Sequence, residues 1–182
     1  YQASSFTCEN ECKPDFIFNW AKPTSTVDFK GEDGHLYKVP EGLAGFTRLS
    51  QILQIAKDNK MQMRGHVLVW HNQTPDWFFK KNYNSSEAYV DKDEMTARQE
   101  WYIKSVLEFV KSWEDINNSG KRIITTWDVV NEAASDNASE ANYLRNASSS
   151  NWFAVYKDVT FIVNAFRYAN KYAPKDVKLV YN

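Results

Sequence analysis

Four short apolar runs separated by longer helix-like segments place the strongest constraint on how this chain can fold. The runs recur roughly every 55 to 60 residues, and an amphipathic helical pattern lies between most of them. Strands that alternate with helices in this way are typical of βα units, in which helices cover a parallel sheet. The predicted strands are Ser5–Cys12, Met61–Trp70, Ile123–Val130 and Val177–Tyr181, and the predicted helices are Leu43–Asn59, Asp93–Trp113 and Asn151–Tyr172.

Composition indicates one domain over residues 1–182, because no Pro/Gly linker or low-complexity tract divides the chain. The 22 Lys and Arg residues nearly balance the 23 Asp and Glu residues, so the formal net charge is −1 and we expect neither nucleic acid nor an anionic membrane as a partner. No apolar run approaches the ~18 residues of a membrane-spanning helix. The 15% aromatic fraction fits a rich core or a cleft in which rings stack on sugars, and composition alone favours the core.

The two cysteines, Cys8 and Cys12, are predicted to be free or packing thiols. On one extended strand their Cα atoms would be about 13 Å apart, which is too far for a disulfide. A zinc site is not predicted, because no second Cys/His pair stands at ligand spacing. His66 and His71 lack a third ligand, since the remaining histidine, His35, lies in a Gly-rich loop. We therefore expect no metal.

Polar side chains follow each predicted strand at its carboxyl end. In a parallel sheet or barrel these ends share one face, so residues that are distant in sequence converge there. Glu9, Asn10 and Lys13 close the first strand, His66, Trp70, His71 and Gln73 close the second, Asn131 and Glu132 close the third, and Tyr181 and Asn182 close the fourth.

Glu132 is the strongest catalytic candidate, because it directly follows Asn131 at the end of a strand. An acid beside an amide suits glycoside hydrolysis, in which the acid protonates the leaving oxygen and the amide holds the sugar 2-hydroxyl. The acid role favours a carboxyl group partly desolvated beside aromatic rings. The alternative is a surface Glu that caps a helix starting near Ser135.

The other candidates each have a structural alternative. Asp128 lies in an apolar run, so it must be paired, and we predict that it holds a hydrogen-bond network. His66 and His71 fit core imidazoles, although His66 also suits a donor to a sugar hydroxyl. Trp70 fits a sugar platform or a core position. The charged residues from Glu9 to Lys13 fit a solvated loop or a wall that clamps vicinal hydroxyls.

Four stretches of the chain are long, ordered and specifically spaced. They are Thr7–Asp15, Met63–Trp77, Trp127–Glu132 and Lys178–Asn182. Together they resemble the catalytic domain of glycoside hydrolase family 10, the (β/α)8-barrel endo-1,4-β-xylanases, over essentially the whole chain. The resemblance implies an α/β fold, namely an incomplete (β/α)8 TIM barrel with about half of the barrel present and outer helices around parallel strands.

The resemblance also implies roles for individual residues. Glu132 corresponds to the acid/base of a retaining mechanism, and Asn131 bonds the sugar beside it. Cys12 replaces the family's usual Met, with little expected effect. The resemblance implies no cofactor and a secreted protein, although no signal peptide is visible. The implied sugar wall is formed by Glu9, Asn10, Lys13, His66, Trp70 and Gln73, and the supporting network contains Asp128, His71 and Tyr181.

The chain departs from the family in what it lacks. It resembles only strands two to five of eight, and it contains no Thr-Glu-Leu-Asp-like motif, which supplies the nucleophile after the seventh strand. The histidine after the sixth strand and the eighth-strand Trp are missing too. Since retaining hydrolysis needs two carboxyls about 5–5.5 Å apart, we expect the chain alone to be inactive. The expected partners are xylan or xylo-oligosaccharide and the remainder of its own barrel, which would cover two unpaired sheet edges.

Three other interpretations stay open at this point. The first is another barrel β-glycanase such as a cellulase, although Pro follows the Asn-Glu pair in many of those and Ala133 follows it here. The second is a non-catalytic carbohydrate-binding protein that kept the sugar wall and lost the chemistry. The third is a structural fragment without affinity for sugars.

Overall fold

The computed structural model describes residues 3–137 and 143–182, and its central element is a sheet of four parallel strands. In space its strands follow the order Ser5–Thr7 (β1), Gln62–Trp70 (β4), Ile124–Asn131 (β5) and Lys178–Tyr181 (β6). The sheet is open and its helices lie outside it, which confirms the predicted incomplete (β/α)8 barrel. The strands are β1 Ser5–Thr7, β2 Thr26–Lys30, β3 Leu36–Pro40, β4 Gln62–Trp70, β5 Ile124–Asn131 and β6 Lys178–Tyr181, and the helices are α1 Pro14–Ile17, α2 Phe46–Asp58, α3 Lys92–Asn117, α4 Asn151–Tyr156 and α5 Thr160–Tyr172, with 3-10 turns at Asp76–Phe79 and Lys81–Tyr83.

The first strand is shorter than predicted, because the chain turns after Thr7. The Lys13 amide donates to the Asn10 carbonyl at 2.8 Å within this turn. Cys8 and Cys12 therefore do not lie on one extended strand, and the separation of about 13 Å expected for such a strand is wrong. Both are buried free thiols. A hydrogen bond with Cys8, together with burial, raises the pKa of Cys12 well above its ordinary value.

The alternation of side chains along β4 and β5 separates the core from the candidate site. Gly65 pairs with Trp127, both are buried, and a Cβ atom on Gly65 would lie 2.4 Å from the Trp127 ring. The next pair along the ladder is His66 and Asp128. Because successive side chains point to opposite faces, this pair and Arg64 lie on the inner face of the sheet, away from the helices.

Helix α3 fixes the start of β5. Asp91 caps the helix by accepting a bond from the Glu94 amide at 2.8 Å, and the helix runs on to Asn117, past its predicted end. Near its end the buried Glu114 carboxylate accepts bonds from the amides of Ile123 at 2.7 Å and Ile124 at 2.9 Å. The carboxylate thus satisfies two backbone donors that enter the sheet.

The predicted helix Asn151–Tyr172 is two helices, because Lys157 adopts the left-handed conformation with φ 62°. Helix α5 restarts at Thr160. Val159 and Val163, which belong to the predicted apolar face, are exposed by 47% and 59%. The break therefore gives α5 a different buried face from that of one continuous helix.

Strands β2 and β3 form an antiparallel hairpin that the sequence interpretation missed. Its turn contains His35, whose carbonyl accepts a bond from the Gly31 amide at 2.8 Å, and Gly34 has φ 86°. Glu32 in this turn forms an ion pair with Arg167 of α5 at 2.6 Å. The segment treated as a loop is thus an element attached to the outer helices.

Candidate functional site

The loops that follow β1 and β4 meet at the carboxyl edge of the parallel sheet. The amide of Asp15, at the start of α1 directly after the first loop, donates to the carbonyl of Gln73 in the second loop at 2.9 Å. Parallel pairing of β4 with β5 places Trp70 beside Asn131. The chain ends of three elements therefore form one surface, as the parallel arrangement predicts.

Lys13 is the centre of a polar cluster on this surface. Its Nζ donates to Asn10 Oδ1 at 3.1 Å and to Gln73 Oε1 at 2.8 Å. The same ammonium lies 5.2 Å from the centroid of the Trp70 ring, within the range of a cation–π contact. An amine, two amides and an indole are thus brought together, and these groups can bond hydroxyls while the ring packs against an apolar sugar face.

Glu132 joins this cluster through Trp70. The Trp70 Nε1 donates to Glu132 Oε2 at 2.9 Å. The Glu132 backbone is left-handed with φ 50°, its amide donates to the Asn182 carbonyl at 2.9 Å, and its own carbonyl accepts from Arg145 Nε at 2.7 Å. A left-handed conformation costs a residue other than glycine about 1–2 kcal/mol, which these bonds offset. The side chain is exposed, whereas the sequence interpretation expected it to be desolvated.

Among the described residues that follow Glu132, none of residues 133–137 is helical. Ala134 pairs with Leu144 in an isolated antiparallel bridge, and the next α-helix of the described residues begins at Asn151. Within the described residues the Glu132 carboxylate contacts Trp70 and caps no helix; residues 138–142 lie outside them. The half-exposed Tyr181 supports this segment, since its hydroxyl accepts a bond from the Ala134 amide at 2.8 Å.

Asp128 is buried and compensated by two neighbours from β4. Its carboxylate accepts bonds from Arg64 Nε at 3.0 Å and lies 2.8 Å from His66 Nδ1. A buried carboxylate needs such partners, so the geometry is that of a positioning network. The bond with Asp128 raises the pKa of Arg64. Arg64 was missed as a site residue, although its alternation with His66 along the strand was a usable signal.

Two further candidates lie beside the strand ends. Asn131 is 2% exposed, and its side-chain amide lies 2.8 Å from the side-chain amide of Asn182. His71 Nδ1 is buried without a hydrogen-bond partner among the residues that the structure describes. Burial and the positive charge of Arg145 lower the pKa of His71, while the neighbouring Glu132 acts in the opposite direction.

Some features of the site were not predicted, and one predicted residue stands apart. Arg145 and Trp152 were missed; the Trp152 Nε1 donates to the Trp70 carbonyl at 3.1 Å, and no local pattern signals this contact. Glu9 is exposed, and no hydrogen bond ties it to the cluster within the described ranges. Among those residues, no three His, Cys, Asp or Glu side chains form a group suited to a metal ion. Within the same ranges no helix has the length and apolarity to cross a membrane.

Comparison with known proteins identifies similar sequences. The sequence model described as Glycosyl hydrolase family 10 matches residues 1–182. Endo-1,4-beta-xylanase Y of Acetivibrio thermocellus is 37% identical over 187 residues, covering 98% of this chain and 16% of that protein. Endo-1,4-beta-xylanase B of Butyrivibrio fibrisolvens is 38% identical over 181 residues, covering 100% of this chain and 25% of that protein. The chain thus spans a quarter or less of these two relatives.

Comparison with solved structures also identifies xylanases. The GH10-containing structure of the Clostridium thermocellum endo-1,4-beta-D-xylanase 10B, complexed with xylohexaose, matches with a TM-score of 0.74 and 34% identity over 98% of this chain and 33% of that chain. An intracellular xylanase of Thermoanaerobacterium saccharolyticum, solved as a mutant in complex with xylotriose, matches with a TM-score of 0.74 and 29% identity over 98% of this chain and 45% of that chain.

Proposed function

This chain belongs to glycosyl hydrolase family 10, and on that basis we propose that it carries the proton donor and part of the sugar wall of a retaining endo-1,4-β-xylanase. The substrate is xylan, cleaved at its internal β-1,4 bonds. The names of the two sequence relatives support xylan as the substrate. Ala133 is consistent with this choice, because many cellulases have Pro after the Asn-Glu pair.

The contact that carries this proposal joins Glu132 to Trp70. The indole nitrogen of Trp70 lies 2.9 Å from the carboxylate of Glu132, and the ring of the same Trp lies 5.2 Å from the Lys13 ammonium. A candidate acid and a candidate sugar wall therefore share one surface. That surface lies at the carboxyl edge of the strands, where barrel enzymes have their active sites.

Glu132 acts first as an acid and then as a base. Its proton passes to the glycosidic oxygen as the C–O bond breaks, while a second carboxylate attacks the anomeric carbon and forms a glycosyl-enzyme. In the second step the Glu132 carboxylate takes a proton from water, and that water attacks the anomeric carbon and releases the second carboxylate. Because Trp70 holds Oε2, Oε1 is the oxygen that transfers the proton.

The wall binds the sugar on the non-reducing side of the cleaved bond. Lys13 donates to sugar hydroxyls, and the side-chain oxygens of Asn10 and Gln73 accept from them, because a hydroxyl group both donates and accepts. His66 Nδ1 is occupied by Asp128, so Nε2 is the ring nitrogen that faces a hydroxyl. Each sugar hydroxyl thus exchanges its bonds to water for bonds to groups already in place.

The second carboxyl comes from outside residues 1–182 in this proposal. Asp128 is buried and committed to Arg64 and His66, so it does not attack a sugar. No Thr-Glu-Leu-Asp-like motif occurs in the sequence. Because retaining hydrolysis needs both carboxyls, the chain alone binds xylo-oligosaccharide without hydrolysing it.

The test joins residues 1–182 to the remaining strands of a xylanase relative and measures hydrolysis of xylan and of a β-1,4-glucan. We expect cleavage of xylan, and Glu132→Gln lowers its rate by about 10²–10⁴-fold. Glu108→Gln, an exposed position on α3, is the matched control and leaves the rate unchanged. Preferred cleavage of the glucan would support a cellulase instead. Sugar binding without hydrolysis in the folded, joined barrel would support the non-catalytic alternative.

We also propose that the protein acts outside the cell, because polymeric xylan does not cross a membrane. One solved relative is described as intracellular, so location needs its own measurement. Detection of the protein in the culture medium of the source organism supports secretion. Detection in washed, lysed cells alone contradicts it.

A further inference from the structure

Trp20 is a large aromatic side chain that the fold leaves on the surface near the sugar wall. It is 52% exposed, whereas most of the other tryptophans lie in the core or in the site. It follows α1, the short helix that begins directly after Lys13. An exposed apolar ring forgoes the free energy that its burial would contribute, which is a reason to examine it for a binding role.

The surrounding residues hold the Trp20 ring in one orientation. The Phe16 ring packs edge-on against it with centroids 4.3 Å apart. The Arg48 guanidinium lies 5.3 Å from the ring centroid and donates through Nη1 to Asn19 Oδ1 at 2.9 Å. Asn19 and Trp20 both have left-handed backbones, with φ 56° and 55°. A ring fixed in this way loses little conformational entropy when a ligand packs against it.

Two backbone hydrogen bonds place Trp20 close to the wall. The Trp20 amide donates to the Asp15 carbonyl at 2.9 Å, and the Asp15 amide donates to the Gln73 carbonyl at 2.9 Å. Since the amide and the carbonyl of one residue are only a few bonds apart, the Trp20 nitrogen lies within roughly 10 Å of the Gln73 oxygen. Trp20 is therefore adjacent to the end of the wall formed by Gln73.

The contacts also show at which residues Trp20 and the proton donor join the wall. Glu132 contacts Trp70, the Trp70 ring faces Lys13, and Lys13 bonds to Gln73. Trp20 comes after Gln73 in this series. Trp20 is thus linked to the wall through Gln73, whereas the proton donor is linked to it through Trp70.

We propose that Asn19, Trp20 and Arg48 form a distal platform that binds a further xylose unit of the substrate chain. This inference rests on the proposed function and deepens it. The exposed part of the ring packs against the C–H face of a pyranose, and the Arg48 and Asn19 side chains that contact the ring or its neighbour bond hydroxyls. The platform suits a neutral sugar better than a cation, because the positively charged Arg48 guanidinium already lies over the Trp20 ring. That guanidinium is also bonded to Asn19.

The platform adds affinity only for chains long enough to reach it. Xylobiose occupies the wall without contacting Trp20, whereas xylohexaose extends from the wall onto the ring. An aromatic contact of this kind increases affinity by about three- to tenfold. Affinity therefore rises with oligosaccharide length through Trp20.

An NMR titration of the chain with xylobiose and with xylohexaose tests the platform, because the indole N–H signals report each Trp separately. We expect Trp20→Ala to weaken xylohexaose binding by about three- to tenfold and to leave xylobiose binding unchanged. Trp20→Leu gives the same result while keeping apolar contact with Phe16, so it covers the case in which the Ala variant folds poorly. Ile116→Ala, 78% exposed at the far end of α3, is the control and changes neither affinity.

The outcomes separate this inference from the proposed function. If Trp20→Leu binds xylohexaose as tightly as the unchanged chain, and both still bind xylobiose, the platform is overturned and the wall stands. If Trp20→Leu weakens both sugars equally, Trp20 acts through the structure of the wall and the platform is likewise overturned. If the chain without substitutions binds neither sugar, the proposed sugar wall is wrong, and the proposed platform is wrong with it.

Discussion

Glu132 takes its position from bonds that other residues make to it. Trp70 bonds its carboxylate, and Asn182 and Arg145 bond its backbone on either side. These contacts fix a left-handed residue at the end of β5, a conformation that costs energy and is typical of functional sites. The proton donor is thus oriented before any substrate arrives, as efficient catalysis requires.

The Asp128 network is predicted to stabilise the fold. Asp128→Asn removes a buried charge that accepts bonds from Arg64 and lies beside His66, so we expect the free energy of unfolding to fall by about 2 kcal/mol. Asp28→Asn is the control, because its ion pair with Lys38 is exposed and contributes about 0–1 kcal/mol. Urea unfolding measures both. Equal losses in the two variants would contradict a special role for Asp128.

His71 is predicted to make stability depend on pH. Burial and Arg145 lower its pKa below the ordinary value, so the unfolded chain takes up this proton first as pH falls. The His71 contribution to stability is therefore present above about pH 6.5 and is lost at lower pH. We expect His71→Gln to reduce the loss of stability between pH 7 and pH 5 in urea unfolding. An identical pH dependence in the variant would argue against this account.

At the scale of elements, the predicted strands and helices are present wherever burial of one face produces a clear repeat of apolar residues in the sequence. All four predicted strands exist, and so do helices α2 and α3. The β2–β3 hairpin was missed because it buries few side chains; Val27 and Leu36 are 40% and 64% exposed. The break between α4 and α5 was missed because it occurs at Lys157, whereas left-handed helix ends are usually marked by Gly or Asn.

Close packing of β4 on β5 is predicted to depend on Gly65. An added methyl group would lie 2.4 Å from the Trp127 ring, so we expect Gly65→Ala to lower the free energy of unfolding by about 1–3 kcal/mol. Gly42→Ala is the control, because nothing lies within 4 Å of its Cβ position. Thermal unfolding compares the two. If Gly65→Ala left the free energy of unfolding unchanged, the packing of β4 on β5 would not depend on Gly65.

For the whole molecule, the parallel sheet explains why the predicted site residues converge. The carboxyl ends of neighbouring parallel strands share an edge, so strand order alone brought Lys13, Trp70 and Glu132 together. Their other partners were not predictable from the sequence. Arg145 and Trp152 reach the site from later segments, and only the packing of those segments determines what they contact.

The isolated chain is predicted to bind xylo-oligosaccharide without releasing reducing sugar from xylan. The described sheet ends in β1 and β6, which are unpaired on their outer sides and so are available to the rest of a barrel. A reducing-sugar assay of purified chain measures this directly. Turnover by the chain alone that disappears in Glu132→Gln would contradict the need for a second carboxyl from elsewhere.

The proton-donor role of Glu132 is tested most directly by comparing two leaving groups in the joined barrel. Cleavage of xylotriose releases a sugar whose leaving oxygen must take up a proton, whereas cleavage of dinitrophenyl xylobioside releases a stable phenolate that needs none. We predict that Glu132→Ala lowers kcat/KM by about 10²–10⁴-fold on xylotriose and by less than about tenfold on the dinitrophenyl substrate. Equal losses on the two substrates would contradict the assignment of Glu132 as the acid.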